Sequence, residues 1–472
     1  MHIRSVVFGS LVALLLTGCD DKQAAEIKAE TEANLAALTA SGDLTHGEVT
    51  VESEGDGYRV AIADTIVKPA PDMELHLGTL RYLHMPVDDD MIRYEDAEVD
   101  SPIALRQADG TDVGTMVVDI ERASGTWYKP LMAFVSLDVL LPSVQMESPN
   151  EPTLQFDNVQ ATLETEDPRA ERTNQTGTMS FDAMRVVEDS GERTALEGLR
   201  LESEFSGVNL AAWTTASNAL DQAAQTGGDV SGAVIQMIDS ITAARGSLVL
   251  DHIEHADAAG VEQFSLNGMQ MTFGLADVDQ EAGSLNLALG YDELTMAETA
   301  FDGDPTAGLM APVSATINIA FNNVPFRQVA STLTAMAPNL TQTGEGQADI
   351  VALLVLSALQ TALSNADTRI DLSGTQIALK DARMTLDGIV DVDPNAMFGA
   401  VAKLDLAIYD LDALTERAMA LPAGPEAQQL QSSLMYLASV STRSEDGGET
   451  VDRYKVVVTP TGDVQVNGQP VF

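Results

Sequence analysis

From Gly47 onward, apolar residues alternate with polar ones at a period of two. In GEVTVESEGDGYRVAIADTIV, Val49 and Val51 are followed by a break at Gly55-Asp56-Gly57 and then by Tyr58, Val60 and Ile62, the pattern of a two-stranded hairpin. The same alternation runs through MELHLGTLRYL, TDVGTMVVDIER, PTLQFDNVQATLETE, GTMSFDAMRVVED and LEGLRLESEFSG. Successive side chains of a strand face opposite ways, so this spacing predicts antiparallel sheet with one apolar and one wet face.

The second half adds a change of period. Leu201, Ser203 and Phe205 alternate and lead into Leu210, Trp213, Ser217 and Leu220 at helical spacing. Ile317, Ile319 and Phe321 lead likewise into Phe326, Val329, Leu333 and Met336, and Leu404, Leu406 and Ile408 into Leu411, Leu414, Ala418 and Leu421. Each switch from period 2 to period 3.6 predicts a strand feeding an amphipathic helix. The copies are too unevenly spaced for a solenoid of fixed repeat. They read as related supersecondary units separated by hairpins such as FSLNGMQMTFGLADVD, GSLNLALGYDELTMAE and TRIDLSGTQIALKDARMTLDGIVDVD. Further helices are expected at 229–244, 348–365 and 425–440, and a closing hairpin turns at Thr461-Gly462-Asp463 and again at Asn467-Gly468. The fold class predicted is α+β: β-rich, with elongated antiparallel sheets and intercalated amphipathic helices in repeated strand-helix units.

The N-terminal segments follow other rules. Residues 22–40 are rich in Ala, Glu and Lys, with Ile27, Leu35 and Leu38 loosely spaced for a helix; they read as a mobile tether that lifts the body off a membrane. Before them, Arg4 precedes the uncharged run Val6–Leu16 and the small residues Thr17 and Gly18. That is the build of an export signal, and the run is shorter than the roughly 20 residues a membrane span requires. Leu16-Thr17-Gly18-Cys19 resembles the bacterial lipobox, which implies that Cys19 is acylated and becomes residue one after cleavage. Cys19 is the one cysteine of the chain, so no disulfide within the chain competes for it, and its acyl chains would hold the protein at a bilayer. Asp20 resembles the sorting residue of lipoproteins kept at the periplasmic face of the inner membrane; the outer membrane is the second choice. The organisation expected is a signal peptide over 1–18, an acylated N-terminus and helical tether over 19–42, an antiparallel β region over 43–200 and an α+β region with strand-helix repeats over 201–472.

Composition narrows the classes further. A formal net charge of -47 argues against nucleic-acid binding and against docking to anionic headgroups. The acids are dispersed, densest in PVDDDMIRYEDAEVD, and read as a hydrated surface. With 45% hydrophobic residues and 5% aromatics, the chain folds on Leu, Val, Ile, Ala and Met.

The closing GDVQVNGQPV, the strand-to-helix hinges such as YDLDAL and NNVPF, the length and the N-terminal attachment resemble the YdgA-like family of periplasmic proteins of unknown function. More remotely they resemble AsmA-type envelope proteins, whose curved sheets present an apolar trough. The resemblance covers roughly Leu201 to Phe472. The chain departs from it in having a lipobox where that family keeps a transmembrane anchor, and in being far more acidic. The family supplies no catalytic residues.

Constellations with chemistry are few. His252-Ile253-Glu254-His255 sets two imidazoles three residues apart, but the surrounding sequence reads as strand, with no further ligand nearby. His46, His76 and His84 show no partnering pattern and read as surface or strand-face residues. Asp277-Val278-Asp279-Gln280-Glu281 and Asp391-Val392-Asp393-Pro394-Asn395 open like calcium loops, yet Ala282 and Ala396 stand where Gly is needed and Ala288 and Ala402 where Glu is needed. No nucleophile elbow, phosphate loop or dinucleotide fingerprint occurs. No metal, cofactor or catalytic residue is therefore expected. The function expected is that of a non-catalytic binding or scaffold component of the cell envelope, partnered by the membrane through Cys19 and by a lipid, other hydrophobic ligand or envelope protein. The alternative is a periplasmic hydrolase with an unrecognised acidic site.

Overall fold

The computed structural model describes residues 20–471, apart from 43, 71, 150, 189, 227–229, 298–300, 302–303 and 342–347. Cys19 and the export signal lie outside the described residues. The protein is a β-rich α+β fold. Its contacts divide it into two compact units: the first runs through Glu202 and includes His255–Val261, and the second comprises Ser203–Glu254 and Glu262 onward.

The first unit opens on a helix, α1 (Asp20–Ser41). Its Ile27 and Leu35 are fully buried, as is Thr31 between them. The spacing i, i+4, i+8 puts all three on one helical face, packed on Leu44, Val49, Val60, Ile62, Leu80, Tyr82, Tyr94 and Trp127. The tether expected here is therefore docked. Its three apolar or small core positions suffice to seat a helix whose other faces are charged, which a reading of composition alone passes over.

The sheet of this unit is antiparallel throughout. Gly57–Ala70 pairs with Val49–Glu54 and with Met73–Pro86. Met73–Pro86 then meets two short strands, Met91–Glu98 and Ile103–Gln107. These continue through Arg122–Tyr128 and Asp112–Asp119, and both paths rejoin on Ala133–Ser148. Glu151–Thr165 and Thr173–Val187 follow.

In the second unit Glu262–Ala276, Gly283–Tyr291 and Pro312–Val324 pair in succession. Arg369–Asp371 and Thr375–Leu379 bridge to Arg383–Val392, followed by Ala400–Tyr409 and Glu449–Val458. The three strand-to-helix switches are present. Arg193–Val208 leads into α2 (Leu210–Thr226) and α3 (Ser231–Asp239). After α4 (Pro305–Met310), Pro312–Val324 leads into α5 (Phe326–Thr341) and α6 (Ala348–Asn365). Ala400–Tyr409 leads into α7 (Leu411–Met419) and α8 (Pro425–Val440). Each insertion is thus a helix pair between two strands, and the helix expected over 229–244 ends at Asp239, with Ala243 opening the next strand.

Two expected hairpins do not reverse: GSLNLALGYDELTMAE gives Gly283–Tyr291 and Glu293–Met296, which run on along the same partner strand in one register, and FSLNGMQMTFGLADVD is a single strand. FSLNGMQMTFGLADVD runs along Glu262–Ala276 and into the turn that follows it, and Gly268, at φ 63°, does not reverse the chain. It kinks the strand where its partner breaks: Phe264–Asn267 pair with Glu293–Met296, and Gln270–Ala276 with Gly283–Tyr291.

Candidate functional site: an uncovered apolar sheet face

Left-handed residues inside long strands shift the alternation by one, as bulges do. In Met73–Pro86, Leu75 and Leu77 are buried before Gly78 (φ 66°), and Leu80, Tyr82 and His84 after it. Across from the kink, the Asp100 carboxylate accepts the Thr79 amide at 2.7 Å and Arg81 at 2.9 Å. In Glu151–Thr165, Asn158 (φ 54°) separates Leu154 and Phe156 from Val159, Ala161 and Leu163, and its amide donates to Asp182 at 2.9 Å. Each device keeps apolar side chains on one face of a strand too long and twisted to do so by strict alternation.

The second unit carries this to a consequence. Register aligns Met271 with Leu289 and Ile317, Phe273 with Leu287 and Ile319, and Leu275 with Leu285 and Phe321. All nine side chains therefore share one face. The opposite face carries Gln270, Thr272 and Gly274 beside Asn286, Ala288 and Gly290. At the Leu275 end the apolar face is closed by a core of Val208, Leu210, Trp213, Ile238 and Phe326, contributed largely by α2, α3 and α5. Toward the C-terminal strands the same face continues through Ala315, Ile377, Met384 and Ile408. There Leu309 of α4, Leu411 and Leu414 of α7 and Leu434 of α8 cover it.

Between these two helix-covered cores the face is open. Met271 is 44% exposed, Phe273 39%, Leu287 41% and Leu289 37%. Together they leave on the order of 300 Å² of contiguous apolar surface, the size of patch that on a monomer is often functional. The first unit has a smaller counterpart, where Val139, Ala161 and Met179 align and Met179 is 45% exposed.

The residues singled out by sequence fall elsewhere. Asp20 opens α1. His252 and His255 lie on one strand, Ala243–Ala256, where residues three apart face opposite ways. His252 Nδ1 is 2.6 Å from Asn267 Oδ1, and His255 Nδ1 is 3.1 Å from the Thr194 hydroxyl. Among the described residues no group of three or more metal-ligating side chains converges.

The calcium-loop lookalikes are a turn, at 277–280, and the end of a strand running into one, at 391–395. Asp391 pairs with Arg369 at 2.7 Å, Asp393 accepts the Asn395 amide at 2.9 Å, and Asp279 lies 3.0 Å from the Gln280 side-chain amide. Carboxylates close other turns in the same way: Asp88 accepts the amides of Asp90 and Met91, Asp109 that of Thr111, Asp257 those of Ala259 and Val261, and Asp371 that of Ser373. A share of the dispersed acidity is therefore turn chemistry added to a hydrated surface.

Of the histidines read as surface or strand-face residues, His84 lies on the inner face of its strand. It is 1% exposed, because the shift at Gly78 puts it on the side of Leu80 and Tyr82. Burial, with Lys129 nearby, pushes its imidazole down to about 3. The missed signal was the parity change after a glycine inside an alternating run. The exposed strip had no sequence signal of its own, since Met271, Phe273, Leu287 and Leu289 are spaced like core residues.

Compared with family models, curated proteins and solved structures, the chain matches none.

Proposed function

We propose that the protein is a lipoprotein, anchored through acylated Cys19 at the periplasmic face of the inner membrane, that works without catalysis by holding the hydrocarbon of a lipid or similar hydrophobic ligand. The observation that carries the reading is the open strip of Met271, Phe273, Leu287 and Leu289 between two covered cores. Ordinary core packing would have extended one helix pair over it.

Size supports a chain-like ligand over a second protein. An area on the order of 300 Å² is well short of the roughly 800 Å² per partner that a stable protein interface buries. Covering it would contribute about 7 kcal/mol of gross apolar transfer energy, less the cost of immobilising the ligand, which places affinity in the micromolar range or weaker. The acidic body and the lipobox resemblance support attachment by acyl chains instead of by headgroup electrostatics.

The test is titration of a fluorescent fatty-acyl probe into the purified chain, beside Leu287→Glu and Leu289→Glu. Saturable binding that both variants weaken at least tenfold, with unchanged melting temperature, is the expected result. Absence of binding, or binding indifferent to both substitutions, overturns the reading. The anchor is tested separately by metabolic labelling with a fatty acid, which Cys19→Ala should abolish.

A further inference from the structure

His84 lies in the core of the first unit, 1% exposed, with one ring nitrogen unpartnered among the described residues. That nitrogen is Nδ1, and the Tyr94 hydroxyl beside it is unpartnered likewise. The Tyr94 ring meets the imidazole edge-on at 5.6 Å and continues to Tyr82 at 5.8 Å and Phe134 at 5.9 Å. Tyr58 and Tyr94 are its register neighbours on the two flanking strands.

The helix α1 packs on the Tyr82 and Tyr94 side of this cluster. Ile27 and Leu35 pack into the same core as Tyr82 and Tyr94, and Thr31 lies buried between Ile27 and Leu35 on the same helical face. Two charged groups act on the cluster. Lys129 acts on the imidazole and has the sign that repels an imidazolium; Glu30, on α1, acts on Tyr94. Of the charged groups acting directly on the imidazole, the one that stands out is the cation Lys129.

We propose that His84 is an acid-sensitive latch for α1: the neutral imidazole seals the aromatic core with the helix docked, and uptake of a proton from solvent drives the helix off so that the charge reaches water. A helix seated by Ile27, Thr31 and Leu35 is the smallest cover that can leave. Around His84 the flanking strands are paired residue by residue, Tyr58–Ile62 on one side and Ile92–Glu95 on the other.

The sign of the effect follows from linkage. The imidazole titrates near its ordinary 6.5 once exposed and at about 3 when docked, so docking is unaffected above 6.5. Below 6.5 the docked state loses ground by about tenfold per pH unit. Between pH 6.5 and 4.5 that is about a hundredfold. The carboxylates Glu54, Glu74, Asp88 and Asp100, held below their ordinary values of 3.8 to 4.5, act mainly below this window. The latch stands independently of the anchor. If Cys19 is lipidated, release of the 22-residue helix converts a span of about 33 Å into a chain reaching up to about 70 Å.

The experiment is hydrogen exchange of the full purified chain from pH 7.5 to 4.5, corrected for intrinsic rates, reading the amides of Ile27 to Leu35 against those of α8 and of strand Gly57–Ala70. Protection of α1 should fall about a hundredfold between pH 6.5 and 4.5 while both references hold. His84→Gln, polar but uncharged, and His84→Phe, which keeps the ring, should each abolish the fall. Flat protection in the unsubstituted chain overturns the proposal. So does an equal fall in His84→Gln, or loss of the Gly57–Ala70 strand in step with α1.

Discussion

Gly246 lies under the ring of Phe273 so closely that a β-carbon at 246 would fall 2.1 Å from the ring's Cε1. The glycine is what lets the aromatic ring lie across the neighbouring strand and leave the strip beside Leu287 shallow and open. Gly246→Ala forces the ring to swing outward, a move a terminal side-chain torsion can make for about 1 kcal/mol. The expected outcome is a small drop in melting temperature together with a several-fold change in acyl-probe affinity. Equal affinity in the two proteins would show that Phe273 is not part of the binding surface.

The kink at Gly78 differs from a glycine in a free turn. Gly78 has φ 66°, and a β-carbon there would meet the Asp100 carboxylate at 2.6 Å, whereas Gly55, at φ 60° in the first hairpin turn, has nothing within 4 Å. Gly55→Ala should cost about 1 kcal/mol, the left-handed penalty alone. Gly78→Ala adds the displacement of Asp100 from Thr79 and Arg81 and should cost about 2–4 kcal/mol. Urea unfolding followed by Trp127 in a Trp213→Phe background reports on the first unit, because each unit holds one of the two tryptophans.

These kinks also mark where sequence reasoning reached and where it stopped. Strands, the strand-to-helix switches and the β-rich α+β class are carried by local periodicity, which needs no knowledge of partners. The hairpin read into FSLNGMQMTFGLADVD failed because Gly268 signals a left-handed residue equally well in a turn and in a kinked strand. Only the pairing with Glu293–Met296 and Gly283–Tyr291 decides between them. Docking of α1 and burial of His84 depend on contacts between elements far apart in sequence. The open strip depends on where helix pairs stop, and no window of the sequence contains that.

Acid should weaken the fold through its turns. Hydrogen bonds from Thr79 and Arg81 hold Asp100 below the usual carboxylate range, those from Arg169 and Asp90 hold Asp88 there, and Thr111, Thr306 and Ser373 do the same for Asp109, Asp304 and Asp371. A carboxylate whose folded value is depressed contributes stability above its unfolded value and loses it as pH falls through the folded one. Melting temperature should therefore fall steeply below about pH 4, on top of any earlier change at His84. Melts from pH 6 to 2.5 check this. Asp88→Asn together with Asp100→Asn should flatten the low-pH limb, and an unchanged limb would assign it to other groups.

In the C-terminal helix-pair unit, one arginine joins three elements. Arg443 donates through Nη1 and Nη2 to Asp412 of α7 at 2.9 and 2.8 Å, and through Nε and Nη2 to Asp452 at 3.1 Å each. Asp452 is fully buried and also accepts the Ser441 hydroxyl at 2.6 Å, whereas the Asp412 side chain is 68% exposed. The two carboxylates are therefore unequal. Asp412→Ala removes a screened surface contact and should cost under about 1 kcal/mol. Arg443→Ala strands a buried charge and should cost about 2–4 kcal/mol. Pairing Arg443→Met with Asp452→Asn removes the stranded charge, so the double variant should be more stable than Arg443→Met alone. Unfolding followed by Trp213 in a Trp127→Phe background measures all four. If Arg443→Ala and Asp412→Ala cost the same, Asp452 is not the residue through which the arginine holds the unit together.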